Sequence, residues 1–159
     1  MRRRHLLLLL AALPAMARAQ EDNITAPQPK LPTEKLTIIT KDGAHHDFTV
    51  ELATKPHEQE VGEMFRKEVP PDQGMLFVWD FPHESPMWMR NTLVPLDMVF
   101  INADGTIRAI AENTVPESLA TISSHGPVLA VLELAGGVTA RLGIVVGDKV
   151  VAKQFTAAG

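Results

Sequence analysis

Short apolar runs separated by turn residues make up most of the chain after Leu36. In Phe48–Leu52, apolar and polar residues alternate, which is the period of a strand with one buried face. Short runs bounded by Gly, Pro, Asn and Asp favour β structure. The expected strands are Leu36–Thr40, Phe48–Leu52, Met75–Val78, Met98–Ile101, Thr106–Ala111, Val128–Leu134 and Lys149–Phe155.

Two turn sequences predict hairpins. Lys41–Gly43 separates the first two expected strands, and Ala103–Gly105 follows the strand at Met98–Ile101. Asp-Gly pairs readily adopt the positive φ angles that tight turns between antiparallel strands require. We therefore expect antiparallel pairing at both places.

One early helix is expected between the second and third strands. Thr54 is a candidate cap, and Pro56 suits the first turn. The helix should end at Val69–Pro71, because a residue that precedes proline disfavours the α conformation. The apolar residues that share one helical face are Val61, Met64 and Phe65.

Together these elements predict a mainly β fold. Many short strands with one early helix are typical of a sandwich or a jelly-roll-like barrel. A short helical turn is expected near the C-terminus, at Val138–Leu142. The prolines Pro82, Pro86 and Pro95 confine the segment Met87–Asp97 to a loop and irregular strand ends, because proline cannot donate a backbone hydrogen bond inside a sheet.

The first 19 residues have the pattern of a secretory signal peptide. A charged start at Arg2–Arg4 precedes the apolar run Leu6–Ala12, and Ala17–Ala19 supplies a small-x-small cleavage site. The apolar run is too short for a membrane-spanning helix, which needs about 20 residues. We therefore expect export to the periplasm or secretion, with cleavage after Ala19 and no stable membrane insertion afterwards.

The rest of the chain divides into a linker and one domain. Residues 20–35 are polar and contain three spaced prolines, which is typical of an extended linker. Residues 36–156 have the length of a single domain. We therefore expect one folded unit behind a proline-containing linker.

Composition limits both the chemistry and the partners. The chain has no cysteine, so disulfides, thiol catalysis and thiolate metal sites are excluded. Cleavage would remove four of the 15 Lys and Arg residues and none of the 19 Asp and Glu residues, which shifts the net charge from −4 to −8. Nucleic acids and anionic membranes attract clustered cations, so this balance argues against both as partners.

The segment Met87–Asp97 (MWMRNTLVPLD) mixes large apolar residues with hydrogen-bonding side chains, and no amphipathic period accounts for the polar ones. Desolvating such groups costs about 1–3 kcal/mol each unless partners are supplied. The polar groups therefore form either a satisfied structural network or the lining of a site. The candidate ligand-binding residues are Arg66, Trp88, Asn91, Thr92, Asp97 and Glu133.

A pocket built from these residues would have apolar walls and a polar floor. Arg66 is the expected ion-pair partner of Asp97, which stands where a loop enters a buried strand. The walls would be Trp88, Phe77 and Met75, and the floor would be Arg66, Asn91 and Asp97.

Two other kinds of site remain open. Asp97 and Glu133 could be the general acid and base of a small periplasmic hydrolase that acts on sugar-like or cell-envelope material. Alternatively, His83, Met87 and Met89 could bind copper, because imidazole and thioether ligands suit the cuprous ion.

Five motifs occur in order: Gly62–Arg66 (GEMFR), Gly74–Val78 (GMLFV), Met87–Asp97, Val131–Gly136 (VLELAG) and Gly143–Asp148 (GIVVGD). Together they resemble the motifs of domain-of-unknown-function family 192, DUF192, over about Leu36 to Val151. This resemblance implies a compact, mainly β domain and brings no established reaction. The chain departs from the family pattern at Glu63, where the family has an apolar residue, and at Glu60 and Val61, where it has an arginine.

The sequence as a whole predicts an exported, monomeric domain that binds or assists without catalysing a reaction. Its partner would be a small molecule or a protein of the cell envelope. No cofactor is implied by the motifs.

The signal peptide makes a direct prediction about the mature protein. Intact-mass spectrometry of protein purified from its native host should show a chain that begins at Gln20. Retention of Met1 or Arg2 in the mature chain would contradict the expected cleavage.

Overall fold

The computed structural model describes residues 23–155, and the predicted signal peptide lies outside them. Within that range the fold is mainly β, as expected. Among the described residues, none of the helices is long and apolar enough to cross a membrane. The elements are β1 (Thr33–Ile39), β2 (His45–Ala53), α1 (Pro56–Val61), β3 (Gln73–Met87), β4 (Leu96–Ile101), β5 (Ile107–Ala111), β6 (Ile122–Ala135), α2 (Val138–Leu142), β7 (Lys149–Val151) and a 3₁₀ turn (Lys153–Phe155).

The seven strands form one sheet that curls into a nearly closed barrel, in the order β5-β4-β6-β3-β2-β1-β7. A bridge between Thr106 and Lys149 joins the two ends of the sheet. Backbone N–H groups of Ile107 and Val150 donate across this junction to Asp148 and Gly105, at 2.9 and 2.8 Å. Closure therefore rests on backbone hydrogen bonds between β7 and the start of β5.

Both expected hairpins are confirmed, because β1 pairs with β2 and β4 pairs with β5 in antiparallel fashion. In contrast, β2 and β3 are parallel, with Glu51 opposite Met75. Parallel neighbours cannot be joined by a tight hairpin and need a crossover connection. The crossover contains α1, so the helix lies over the sheet rather than beyond its edge.

Two apolar clusters stabilise the barrel. The first fills the interior and draws side chains from all seven strands, including Val99 and Leu132, which are direct cross-strand neighbours. The second lies on the outer face of the central strands and includes Met75, Phe77 and Met98. Since both faces of these strands are covered, a polar side chain on either face is removed from water.

The central segment Met87–Asp97 is a loop between irregular strand ends, as expected. Strand β3 continues through Pro82 and Pro86 to Met87, and the loop begins only at Trp88. The pairing of β3 with β6 shifts register between Val78 and His83 and again just before Pro86. These irregularities accommodate residues that cannot donate to a regular ladder.

The early helix is shorter than predicted. Its N-cap is Lys55 rather than Thr54, and Glu58 accepts the backbone N–H groups of both residues at 3.1 Å. The helix ends at Val61 because Gly62 adopts φ +48°, and a Cβ there would lie 2.9 Å from the ring of Phe77. The expected helical face is therefore interrupted after its first residue.

Two further expectations need correction, one about Phe65 and one about the predicted linker. Phe65 has φ +61° in the turn after the helix and is only half-buried, so it does not pack α1 onto the sheet as expected. Part of the predicted linker is attached to the barrel. Residues 33–35 belong to β1, and Gln28 donates to the backbone carbonyls of Glu58 and Gly62 at 3.0 Å.

Asp97 anchors α2, which forms at the predicted residues. Its carboxylate accepts the backbone N–H groups of Asn113, Gly137 and Thr139 at 2.8–2.9 Å, and the Thr139 hydroxyl at 2.7 Å. The expected ion pair with Arg66 is wrong, because the left-handed turn at Gly137 brings backbone donors to this carboxylate instead. Asp97 is fully buried and serves the fold.

This arrangement predicts that Asp97→Asn destabilises the protein. The new amide would direct N–H groups at donors, so the free energy of unfolding should fall by about 1–3 kcal/mol in urea titrations. Asp47→Asn is the matched control, because Asp47 is exposed and accepts one hydrogen bond from Thr37. A melting temperature for Asp97→Asn at or above that of the wild type, at neutral pH without ligand, would oppose the structural role.

Candidate functional site

A row of alternating acidic and methionine side chains crosses the outer face of the barrel. The strand registers place Glu51 opposite Met75, Met75 opposite Glu133, and Glu133 opposite Met98. Directly opposed residues on neighbouring strands project from the same face of a sheet. Two carboxyl groups therefore lie in an otherwise apolar row, and both residues are buried.

The turn that follows α1 covers this row and adds a third carboxyl group. The reversal at Gly62 directs Glu63 inward, where its side chain is 1% exposed. The backbone N–H of Phe65 donates to the carbonyl of Asn91 at 2.8 Å, which fixes the turn against the loop after β3. The turn after α1 and the loop after β3 together cover the acidic row.

Arg66 neutralises only part of this charge. Its two terminal nitrogens donate to both oxygens of Glu51, at 2.6 and 2.9 Å, in a two-point ion pair. Burial acts to raise the pKa of Glu51, but the hydrogen bonds from Arg66 and from the Leu31 N–H outweigh it and lower that pKa. The guanidinium is therefore committed mainly to Glu51.

Glu63 has no such partner. Arg66 Nε lies 3.1 Å from Glu63 Oε2, but the geometry is not that of a hydrogen bond, and this buried oxygen has no hydrogen-bond partner among the described residues. Burial raises the pKa of Glu63 to about 7; the charge of Arg66 opposes this rise and that of Glu51 adds to it. At neutral pH the group is poised between its acid and carboxylate forms.

Glu133 is still more strongly affected. Burial, followed by repulsion from Glu63, raises the pKa of Glu133 well above its usual value, and Arg66 only partly opposes the effect. Within residues 23–155 its carboxyl group makes no hydrogen bond. Glu63 and Glu133 are thus a coupled pair of acids that the fold itself leaves without hydrogen-bond donors.

Both acids open into a cleft of about 170 Å³ between α1, β3 and the loop after β3. The exposed Glu60 contributes a third acidic side chain, and the described lining contains no cationic one. Aromatic and thioether groups form most of the remaining wall. The lining residues are Gln59, Glu60, Val61, Glu63, Met64, Phe77, Trp79, Pro86, Met87, Trp88, Thr92 and Glu133.

The loop after β3 shapes the mouth of the cleft. Asn91 adopts φ +54°, and its side-chain amide lies 3.8 Å from the sulfur of Met64. Thr92 is buried and donates its hydroxyl to the carbonyl of Arg90 at 3.2 Å. The Arg90 guanidinium lies 5.4 Å from the ring centre of Trp88, which is 44% exposed at the rim.

The structure brings together only part of the predicted pocket. Trp88, Thr92 and Glu133 line the cleft, and so does the expected wall residue Phe77. The other predicted wall and floor residues do not line it. Met75 is packed in the outer cluster, Arg66 lies behind Glu63, Asn91 holds the loop, and Asp97 anchors α2.

Asp97 and Glu133 do not form an acid–base pair. Asp97 is opposite Leu134, whereas Glu133 is opposite Met98, so the two carboxyl groups project from opposite faces of the sheet. The hydrolase hypothesis that joins them is therefore wrong in its choice of residues.

The structure also does not bring the three proposed copper ligands together. Met89 is fully buried in the outer cluster, and its sulfur lies 3.0 Å from the Thr114 hydroxyl. His83 packs against the rings of Trp79 and Phe81 and lies outside the cleft that Met87 lines. Across residues 23–155, no group of three or more His, Asp or Glu residues is placed to hold a metal ion.

Glu51 and Glu63 were missed as site residues, for different reasons. Glu51 belongs to the polar half of an alternating strand, which predicts contact with solvent. Glu63 carried a usable signal, because an acid stands where the family pattern has an apolar residue. Burial is the expected environment at such a position, so an acid there should be perturbed.

The fold and the cleft together define a small β-barrel domain in which α1 and its following turn cover a buried pair of acids. The chain belongs to the DUF192 family, described as "Uncharacterized ACR", which matches residues 37–152. No curated protein matches the chain.

Two solved structures are similar over most of their length. One, from Sinorhizobium meliloti 1021, is described as a "putative transcription regulator"; it is 46% identical, with a TM-score of 0.78 over 80% of this chain and 98% of the other. The second, a protein of unknown function from Novosphingobium aromaticivorans DSM 12444, is 42% identical, with a TM-score of 0.75 over 80% of this chain and 91% of the other.

The raised pKa of Glu63 predicts a specific dependence of stability on pH. The folded protein favours the protonated acid, so stability is fully present below about pH 4.5 and is lost as the pH rises towards 7. Glu63→Gln should remove this loss and raise the free energy of unfolding at pH 8 by up to about 3 kcal/mol.

Denaturant titrations at several pH values test this effect. Glu84→Gln is the matched control, because Glu84 is exposed and a glutamine could keep its hydrogen bond from Ser123. Equal pH dependence in the wild type and Glu63→Gln would show that Glu63 is not the responsible group.

Proposed function

We propose that this protein is an exported, non-catalytic domain that binds a small ligand in the cleft between α1 and the loop after β3. The observation that carries the proposal is the buried Oε2 atom of Glu63, which lies 3.1 Å from Arg66 Nε but has no hydrogen-bond partner in the described chain. Glu63 and Glu133 both line the cleft and repel each other. Folded proteins satisfy most buried polar groups, so such an atom calls for a bound partner.

A second polar group of the lining supports the same function. The indole N–H of Trp79 is also buried without a hydrogen-bond partner in the part of the chain that the structure describes. Apolar walls with a few unsatisfied polar groups are the usual composition of small-ligand sites. A ligand held here would contact Phe77 and Trp88 as well.

Export places this binding domain in the periplasm or outside the cell. The proposal rests on the sequence of residues 1–19, with its charged start, apolar run and small-x-small site. The mature protein would act as a monomer. A protein of the cell envelope that receives or supplies the ligand is the macromolecular partner we propose.

A role in transcription is not favoured for this chain. The description of the S. meliloti protein raises that possibility, but a DNA-binding surface needs clustered cations to neutralise phosphates. The chain has 19 acidic residues against 15 Lys and Arg residues, and signal cleavage would increase the imbalance. Small-molecule binding is the function that the cleft supports best.

A thermal-shift screen of periplasmic small molecules tests the binding function. A ligand that binds only the native state raises the melting temperature, and the rise grows with the logarithm of its concentration over Kd. Both tryptophans of the chain line the cleft, so each genuine ligand should also change the intrinsic fluorescence. Trp88→Ala should abolish these effects.

Phe81→Ala is the matched control, because Phe81 is an exposed aromatic residue of the preceding strand, β3, that does not line the cleft. Its variant should keep the response to every ligand. A screen in which no ligand depends on Trp88 would contradict the proposed site.

A further inference from the structure

We infer that the cleft selects a small organic ammonium ion, a primary amine carrying one ring or a short alkyl chain. This inference rests on the proposed binding function and adds the chemical class of the ligand. The ammonium would lie between Glu63 and Glu133, and its apolar part would lie against the aromatic and thioether walls.

The charges around the cleft support a cation. Glu63 and Glu133 repel each other in the lining of the cleft and accept no hydrogen bond from the described residues, and Glu60 adds negative charge at the opening. The nearest cation, Arg66, gives both terminal nitrogens to Glu51. An ammonium has three donors and no acceptor, which complements two carboxyl groups that lack donors.

The walls support a cation with an apolar substituent. Phe77, Trp79 and Trp88 present aromatic rings to the cleft, and aromatic faces attract cations. Arg90 already lies over Trp88 at the rim, which shows that this ring accepts a cationic neighbour. Met64 and Met87 supply polarizable contacts for carbon atoms.

Cleft size limits the ligand. A cavity of roughly 150 Å³ accommodates a benzene molecule, and this cleft has about 170 Å³. A single ring or a chain of a few carbons therefore fits, whereas a nucleotide or a disaccharide does not.

A bare metal ion fits the same acids less well. Hard divalent cations take six or more oxygen ligands, and the paired acids at the base of the cleft are only Glu63 and Glu133. The rest of the lining offers few further oxygen ligands, because most of its residues are apolar. An organic cation uses both the acids and the wall.

Benzylammonium, n-butylammonium and the neutral isostere benzyl alcohol are suitable probes. Titrations of the full mature protein, followed by calorimetry and tryptophan fluorescence at pH 8, should show benzylammonium binding at least about tenfold more tightly than benzyl alcohol. The n-butylammonium ion should bind too, because its charge and short chain satisfy the same contacts.

Lowering the pH should weaken the binding of benzylammonium but not that of benzyl alcohol. The pKa of Glu63 is about 7, so lowering the pH to 5.5 leaves only a small fraction of its carboxylate and should reduce benzylammonium affinity by at least about tenfold. The other charged groups that face it are Glu51, Arg66, Glu133 and Glu60. Calorimetry in two buffers should show net release of protons on binding at pH 7.

Two variants separate the effect of Glu63 on ligand affinity from that of a general change in charge. Glu63→Gln should weaken benzylammonium binding and flatten its pH profile, whereas Glu84→Gln should leave both unchanged. If benzyl alcohol binds as tightly as benzylammonium and its binding depends on Trp88, the ammonium assignment is overturned and the binding function is kept. Amine binding that is insensitive to pH and to Glu63→Gln, or absent altogether, would also overturn it.

Discussion

The parallel pairing of β2 with β3 is the constraint on which the site depends. Parallel neighbours need a crossover, and here the crossover lays α1 and its following turn across the outer face of the sheet. The same pairing sets Glu51 level with Met75 and hence with Glu133. One register therefore creates both the acidic row and the cover that takes it out of water.

The turn after α1 brings Arg66 to the acidic row, but this one cation compensates only part of the negative charge there. Arg66 stabilises Glu51 through two hydrogen bonds and contributes a weaker attraction to Glu63 and Glu133. A buried acid that lacks a cation costs stability, which it reduces by taking up a proton. The domain tolerates this cost because the surrounding barrel is closed and apolar inside, without disulfides. Costs of this kind are concentrated at functional sites in proteins.

Local features could be predicted from the sequence, and long-range ones could not. The two hairpins and α2 follow from turn chemistry and alternation over a few residues. Asp97, in contrast, finds its donors 40 and 42 residues away, at Gly137 and Thr139. The perturbed acid at Glu63 depends on the turn at Gly62 and on the outer face beneath it. An unexpected acid in an apolar motif was nevertheless a usable signal.

Closure of the sheet has a consequence for aggregation. An open sheet presents rows of free N–H and C=O groups that template edge-to-edge aggregation. Backbone hydrogen bonds at the junction between β7 and the start of β5 occupy some of these groups within the molecule. The chain thus pairs the two ends of its own sheet and reduces the length of edge that is free to pair with another molecule.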